Sequence, residues 1–323
     1  MQGHAHAPAR QKRDHGGGLD AAMARYGGAR ADWLDLSTGI NPVPYPLPEL
    51  PAQAWTALPD TDAERALLSA ARHAWHVPDD AGILAAPGAS ALIARVPGLA
   101  PCGNVHIPAP TYNEHAAAFS AQGWAVHSEA PRASPDARVL VHPNNPTGLW
   151  YAQTDLDAPL TIVDESFADI CPDRSLTRFA NRPGLLILTS FGKFWGLAGL
   201  RLGFAIGTPD LLAPLAEALG PWPVSGPALT IGAQALTDIE WARDTRTRLN
   251  ADAARLDAVM VRAGATVTGG TSLFRLFKVD DARAWQDRLA RAHIWSRIFP
   301  YSDTWLRLGM PPPDAWARLE AAL

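Results

Sequence analysis

Several protein classes are excluded by what this 323-residue chain lacks. Cysteine is nearly absent: Cys102 and Cys171 are the only two, too few for a disulfide framework or a Cys-rich zinc site. The expectation is a pair of buried thiols in a reducing cytoplasm. No apolar run approaches the length of a membrane span, and the best, GLLIL at 184–188, is strand-sized. The first residues, MQGHAHAPARQKRDHGGG, lack the apolar stretch of a secretory signal, so a cytoplasmic protein is expected. An excess of positive charge is missing too. At a net charge of −4, neither nucleic acid nor an anionic membrane is an expected partner. The 29 prolines and 26 glycines show no three-residue period and no internal repeat appears, which excludes a collagen-like or solenoid chain. His4, His6 and His15 lie in a polar arm and do not read as a metal site.

What is present is a large apolar fraction, 47%, against 19% charged residues, enough for a sizeable core and about two domains. A short helix is expected around 19–26. Prolines 42, 44, 46, 48 and 51 then impose an extended path. TDAERALLSAARHAW at 61–75 reads as a helix with Thr61 or Asp62 as N-cap. Short apolar runs follow at 81–86, 104–110, 137–143, 160–165, 184–190 and 202–207, separated by helical stretches. Near-continuous apolar strands alternating with helices predict an α/β fold with a mostly parallel sheet covered on both faces. The pattern from 208 to 262 is helical, broken by GPWPVSGP at 220–227. SLFRLFKV then reads as an antiparallel strand, 282–292 as an amphipathic helix and 305–310 as a last strand, together a smaller α+β unit.

Ligands on such sheets bind at the carboxyl ends of the strands, where the polar punctuation of this chain falls. Lys193 sits in TSFGKFWGLAGLRLG, an apolar, Gly-rich neighbourhood. Desolvation there lowers an amine's pKa and lets it attack a carbonyl. Taken alone, Lys193 reads first as a surface lysine with a buried stem, and Arg201 as half of a structural ion pair. Asn145, in HPNNPTG, can point an amide into the mouth of the sheet or close an Asx-turn. Asp164, ending the run TIVD, needs a cationic or hydrogen-bonded partner, or caps a helix.

In combination the order Asn145, Asp164, Ser190, Lys193, Arg201 resembles the pyridoxal-phosphate enzymes of the aspartate-aminotransferase fold, with their NPTG, Asp-x-x-aromatic and S-x-x-K…R motifs. The resemblance implies a three-layer pyridoxal-phosphate-dependent transferase fold, with a mostly parallel central sheet and a smaller α+β domain. It further implies that Lys193 carries the cofactor as a Schiff base, Asp164 pairs with the pyridinium nitrogen and Asn145 donates to the ring oxygen. Tyr112 would stack on the ring. Ser190, Arg201 and the backbone amides of Ala89 and Ser90 would bind the cofactor phosphate.

A narrower resemblance rests on His15-Gly16-Gly17, LDLSTGINP at 34–42, ESF at 165–167 and PWPV at 221–224. These are similar to the threonine-phosphate decarboxylases of cobalamin biosynthesis. The implied activity is decarboxylation of L-threonine O-3-phosphate to (R)-1-aminopropan-2-yl phosphate. Arg307 would bind the carboxylate, and His15 and Arg297 the phosphate, with Gly39 and Asn145 also at the substrate. Leu58 and Phe167 stand where relatives carry tyrosine. The resemblance implies a homodimer and three parts: residues 1–45 as an N-terminal arm and substrate-side segment, 46–225 as a large cofactor domain, and 226–323 as a small C-terminal domain. Two alternatives remain: an aminotransferase acting on a phosphorylated amine such as histidinol phosphate, and a non-catalytic partner of a cobalamin-pathway enzyme. Trp195 and Trp222 are expected to line the site.

Overall fold

The computed structural model describes residues 15–130 and 133–323. At its centre is a seven-stranded sheet, in spatial order Gly82–Ala86, Gly203–Gly207, Leu185–Ser190, Leu160–Asp164, Ala137–Val141, Asn104–His106 and Ala125–His127. All pairings are parallel except the two made by Gly203–Gly207, which runs against both neighbours. The expected mostly parallel α/β sheet is therefore present. Side chains alternate between its two faces, as the pleat requires. Ile162, Leu186, Leu188 and Ala205 pack on one side with Leu92, Phe119 and Leu215. Val163, Ile187 and Ile206 pack on the other with Val77, Leu156 and Leu176.

Helix Thr61–Ala74 forms as expected, but its cap is Asp60, whose side chain accepts from Ala63 N at 2.8 Å, ahead of both expected candidates. The helical region after 208 resolves into Pro209–Leu219, Gly226–Thr237 and Ile239–Arg262. A second sheet, all antiparallel, orders Arg297–Phe299, Ser302–Gly309, Phe274–Lys278 and Thr266–Thr271. Leu34–Asp35 pairs in parallel with Ile294–Trp295, so the segment ahead of the prolines joins the C-terminal portion of the chain.

Three expectations are corrected. Cys102 is exposed, its Sγ 2.9 Å from Gln122 O, and Cys171 is half-buried, so neither thiol is a core residue. Trp195 is buried away from both cavities described below, its indole donating to Asp169 at 3.0 Å. Trp222 is 58% exposed. Packing needs, not ligand contact, account for the first, and the second lies on an outer surface. The polar arm, with His4 and His6, lies outside the described residues apart from its end at His15. Among the described residues no helix is long and apolar enough to cross a membrane.

Candidate active site

The parallel strands deliver their carboxyl ends to one edge of the sheet. Asp164 ends one strand, Ser190 its neighbour, and the turn carrying Asn145 follows a third. The reversed strand adds Arg201 at its start, because Gly203 pairs with Ser190. These residues border a cavity of about 140 Å³, with Ala89, Ser90, Tyr112 and Lys193 also in its wall. A second cavity of about 330 Å³ adjoins it through Tyr112, Asn145, Phe167 and Lys193. Its outer wall holds His15, Gly39, Arg297 and Arg307. All twelve site residues expected from the sequence are thus brought together.

Lys193 faces both cavities, its Nζ 5.3 Å from the centre of the Phe167 ring. Burial, reinforced by the Arg307 guanidinium, pushes its ammonium down to about 8, although Asp164 pulls the other way. Roughly a tenth of the amine is then neutral at pH 7, far more than for an exposed lysine, and the neutral form is the nucleophile. Burial alone would raise the Asp164 carboxyl. The hydrogen bond and charge of His115, with donation from Ser166, outweigh it and hold Asp164 below the usual carboxylate range. His115 Nε2 lies 2.8 Å from Asp164 Oδ2, and both side chains are buried. The next residue has the opposite fate. Burial pushes Glu165 up to about 7, despite donation from Ser175 Oγ and Leu176 N at 2.6 Å each.

The end of the smaller cavity is shaped for an anion. Gly88 has φ +84°, and a Cβ there would come within 2.5 Å of the Arg201 guanidinium, so only glycine lets this arginine lie across the turn. Arg201 itself is left-handed, φ +54°, and donates to Ala198 O at 3.1 Å. Ser190 Oγ accepts from Gly192 N at 3.2 Å. Backbone amides at 89–90, a hydroxyl and a guanidinium converge there, a donor set suited to phosphate. A buried carboxylate, a low-pKa lysine and a phosphate cradle around a slot beside Tyr112 fit pyridoxal phosphate.

In the larger cavity Arg307 is 5% exposed, with its guanidinium 5.2 Å from the Phe274 ring centre. It donates to Asn145 Oδ1 and Ser37 O. Burial, with Arg297 nearby, lowers it to about 10. With Oδ1 engaged, Asn145 keeps its amide Nδ2 as the donor for a ligand. Arg297 donates to His15 O at 2.9 Å, and His15 Nε2 is 2.8 Å from Glu114. A Cβ at Gly39 would come within 2.9 Å of both Phe167 and Phe274, so glycine keeps this wall open. Sequence reasoning missed His115, whose partner Asp164 lies 49 residues away in the chain. It also missed Tyr301, which lines the mouth of the cavity.

The fold and the sequence family define the class. The histidinol-phosphate aminotransferase from Sinorhizobium meliloti, solved in complex with pyridoxal-5'-phosphate, superposes with a TM-score of 0.79, covering 94% of this chain and 93% of its own at 18% identity. The sequence model of aminotransferase class I and II matches residues 32–319, and the chain belongs to that family. Within it, a threonine-phosphate decarboxylase from Sinorhizobium sp is 43% identical over 329 residues, covering 95% of this chain and 98% of the relative. A threonine-phosphate decarboxylase from Pseudomonas aeruginosa is 42% identical, covering 96% and 97%.

Proposed function

We propose that the chain is a pyridoxal-phosphate-dependent lyase that decarboxylates L-threonine O-3-phosphate to (R)-1-aminopropan-2-yl phosphate in cobalamin biosynthesis. The carrying observation is the arginine pair Arg307 and Arg297, with His15, walling a cavity that Lys193 and Asn145 share with the phosphate-shaped one. Similarity at 42–43% identity over nearly the whole chain to threonine-phosphate decarboxylases supports the same reading.

When bound, pyridoxal phosphate supplies an electron sink for the carbon–carbon bond that breaks. Lys193 would tether it and later deliver a proton to the substrate's α-carbon. Asp164, steadied by His115, would keep the pyridine nitrogen protonated. Asn145 would donate to the ring oxygen beside Tyr112, while Ala89, Ser90, Ser190 and Arg201 would hold the cofactor phosphate. Arg307 grips the substrate carboxylate as a fork. His15 and Arg297 meet the substrate phosphate, and Gly39 leaves room between the two aromatic rings. We further propose a cytoplasmic homodimer, for which the exposed apolar side chains Leu47, Trp55, Leu58 and Trp222 are candidate contacts.

Loading the protein with cofactor and supplying L-threonine O-3-phosphate tests the proposal. Carbon dioxide and the amine phosphate should appear in equal amounts without any 2-keto acid. A strict requirement for a 2-keto acid, with carboxylate retained in the product, would make it an aminotransferase. Absence of any cofactor binding would favour a docking role.

A further inference from the structure

The rear of the loop that carries Lys193 is held by a bracket outside both cavities. Asn41, 2% exposed, donates its main-chain N–H to Lys193 O at 3.0 Å and its Nδ2 to Phe194 O at 2.8 Å. Its Oδ1 points the other way, accepting from Val43 N at 3.1 Å and from Arg248 at 2.7 Å. Arg248 belongs to helix Ile239–Arg262 and is steadied by Asp252 at 3.2 Å. A guanidinium donates and never accepts, so it selects one of the two flips of the Asn41 amide. The reversed flip would aim the amide nitrogen at Arg248 and an oxygen at Phe194 O. Gly196 N also meets Lys193 O, at 3.1 Å, and Tyr45 N meets Trp195 O at 2.9 Å.

Pinning two successive carbonyls fixes the torsions on either side of the Lys193–Phe194 peptide. Those torsions set the direction in which the Lys193 side chain leaves the main chain. We infer that Arg248 is a positioning residue for Lys193, acting through the Asn41 amide. The inference rests on Lys193 being the reacting amine, and a reacting group displaced by about 1 Å can lose on the order of 100-fold in rate.

Arg248→Met keeps the stem and removes the donors; Arg248→Lys returns one of them. In the full chain without substrate, Arg248→Met should raise amide exchange in the 191–197 segment about tenfold, the effect of one lost charged hydrogen bond. In the cofactor-loaded protein kcat should fall about tenfold with KM within about twofold, because Arg248 touches no substrate. Arg248→Lys should lie between the two on both readouts. Unchanged exchange at 191–197 with unchanged kcat overturns the inference, as does loosening spread evenly over the chain. Should Arg248→Met not fold, Asn41→Asp keeps the acceptor for Arg248, removes the donor to Phe194 O and is read on the same segment. The exchange readout is independent of what Lys193 does chemically: if Lys193→Ala leaves turnover intact, the proposed function fails on its own.

Discussion

The two cavities that meet at Lys193 are built in different ways. The smaller draws nearly everything from the carboxyl edge of one sheet: Asn145, Asp164, Ser190 and Arg201 are placed by adjacent strands in fixed register. The larger is assembled from remote parts, His15 and Gly39 near the start, Thr111 in the middle, and Arg297 and Arg307 near the end. A sheet edge supplies rigid positions that suit an unchanging ligand such as a cofactor. A seam between distant segments can be altered piece by piece, and it is there that one family can divide into enzymes for different substrates.

If the two halves are separable, mutations on each should leave distinct signatures. Lys193→Ala stands on the shared boundary and should remove turnover by about 10⁴-fold or more, the upper range for a general acid–base group, together with the visible absorbance of the loaded protein. Arg307→Lys belongs to the substrate half. It should lower kcat/KM by about 30- to 100-fold through loss of the forked contact while leaving the absorbance intact. A bleached Arg307→Lys protein would break the distinction. His115→Phe belongs to the cofactor half, and leaving Asp164 without its buried partner should weaken cofactor affinity about tenfold with KM for substrate unchanged. Equilibrium dialysis and steady-state kinetics separate these effects.

A smaller effect tests the pair Asp164–Glu165, where one carboxyl is held low and its neighbour is raised to about 7. For Glu165 the folded state binds its proton more tightly than the unfolded chain. Its stabilisation is complete below pH 4.5 and is lost as pH rises through about 7. The amount is on the order of 3 kcal/mol. Glu165→Gln should flatten the fall in stability across that window in urea titrations at stepped pH. An unchanged slope would show that another group controls it.

The residues that converge on the smaller cavity were legible in the sequence, because a parallel sheet sends every carboxyl end to one edge and the residues there stand beside recognisable turns. His115 stayed hidden because a buried histidine on a helix carries no local mark of its carboxylate, 49 residues away. Strands Ala125–His127 and Thr266–Thr271 were missed for a simpler reason: most of their residues are exposed or half-buried, so the apolar signal is weak. The burial of Trp195 depended on Asp169 and a stacked Trp241, contacts that exist only after folding.

The one reversed strand has a consequence for assembly. Because Leu185–Ser190 and Gly203–Gly207 pair antiparallel, Ser190, Lys193 and Arg201 all lie on a single hairpin closed by the loop 191–202. Short loops close at small entropic cost and local contacts form early. The contact between Arg297 and His15, by contrast, spans 282 residues and must wait for most of the chain. Refolding followed by pulsed amide exchange should therefore protect 185–207 before 297–309, so that the residues proposed to anchor the cofactor are in place before those proposed to meet the substrate.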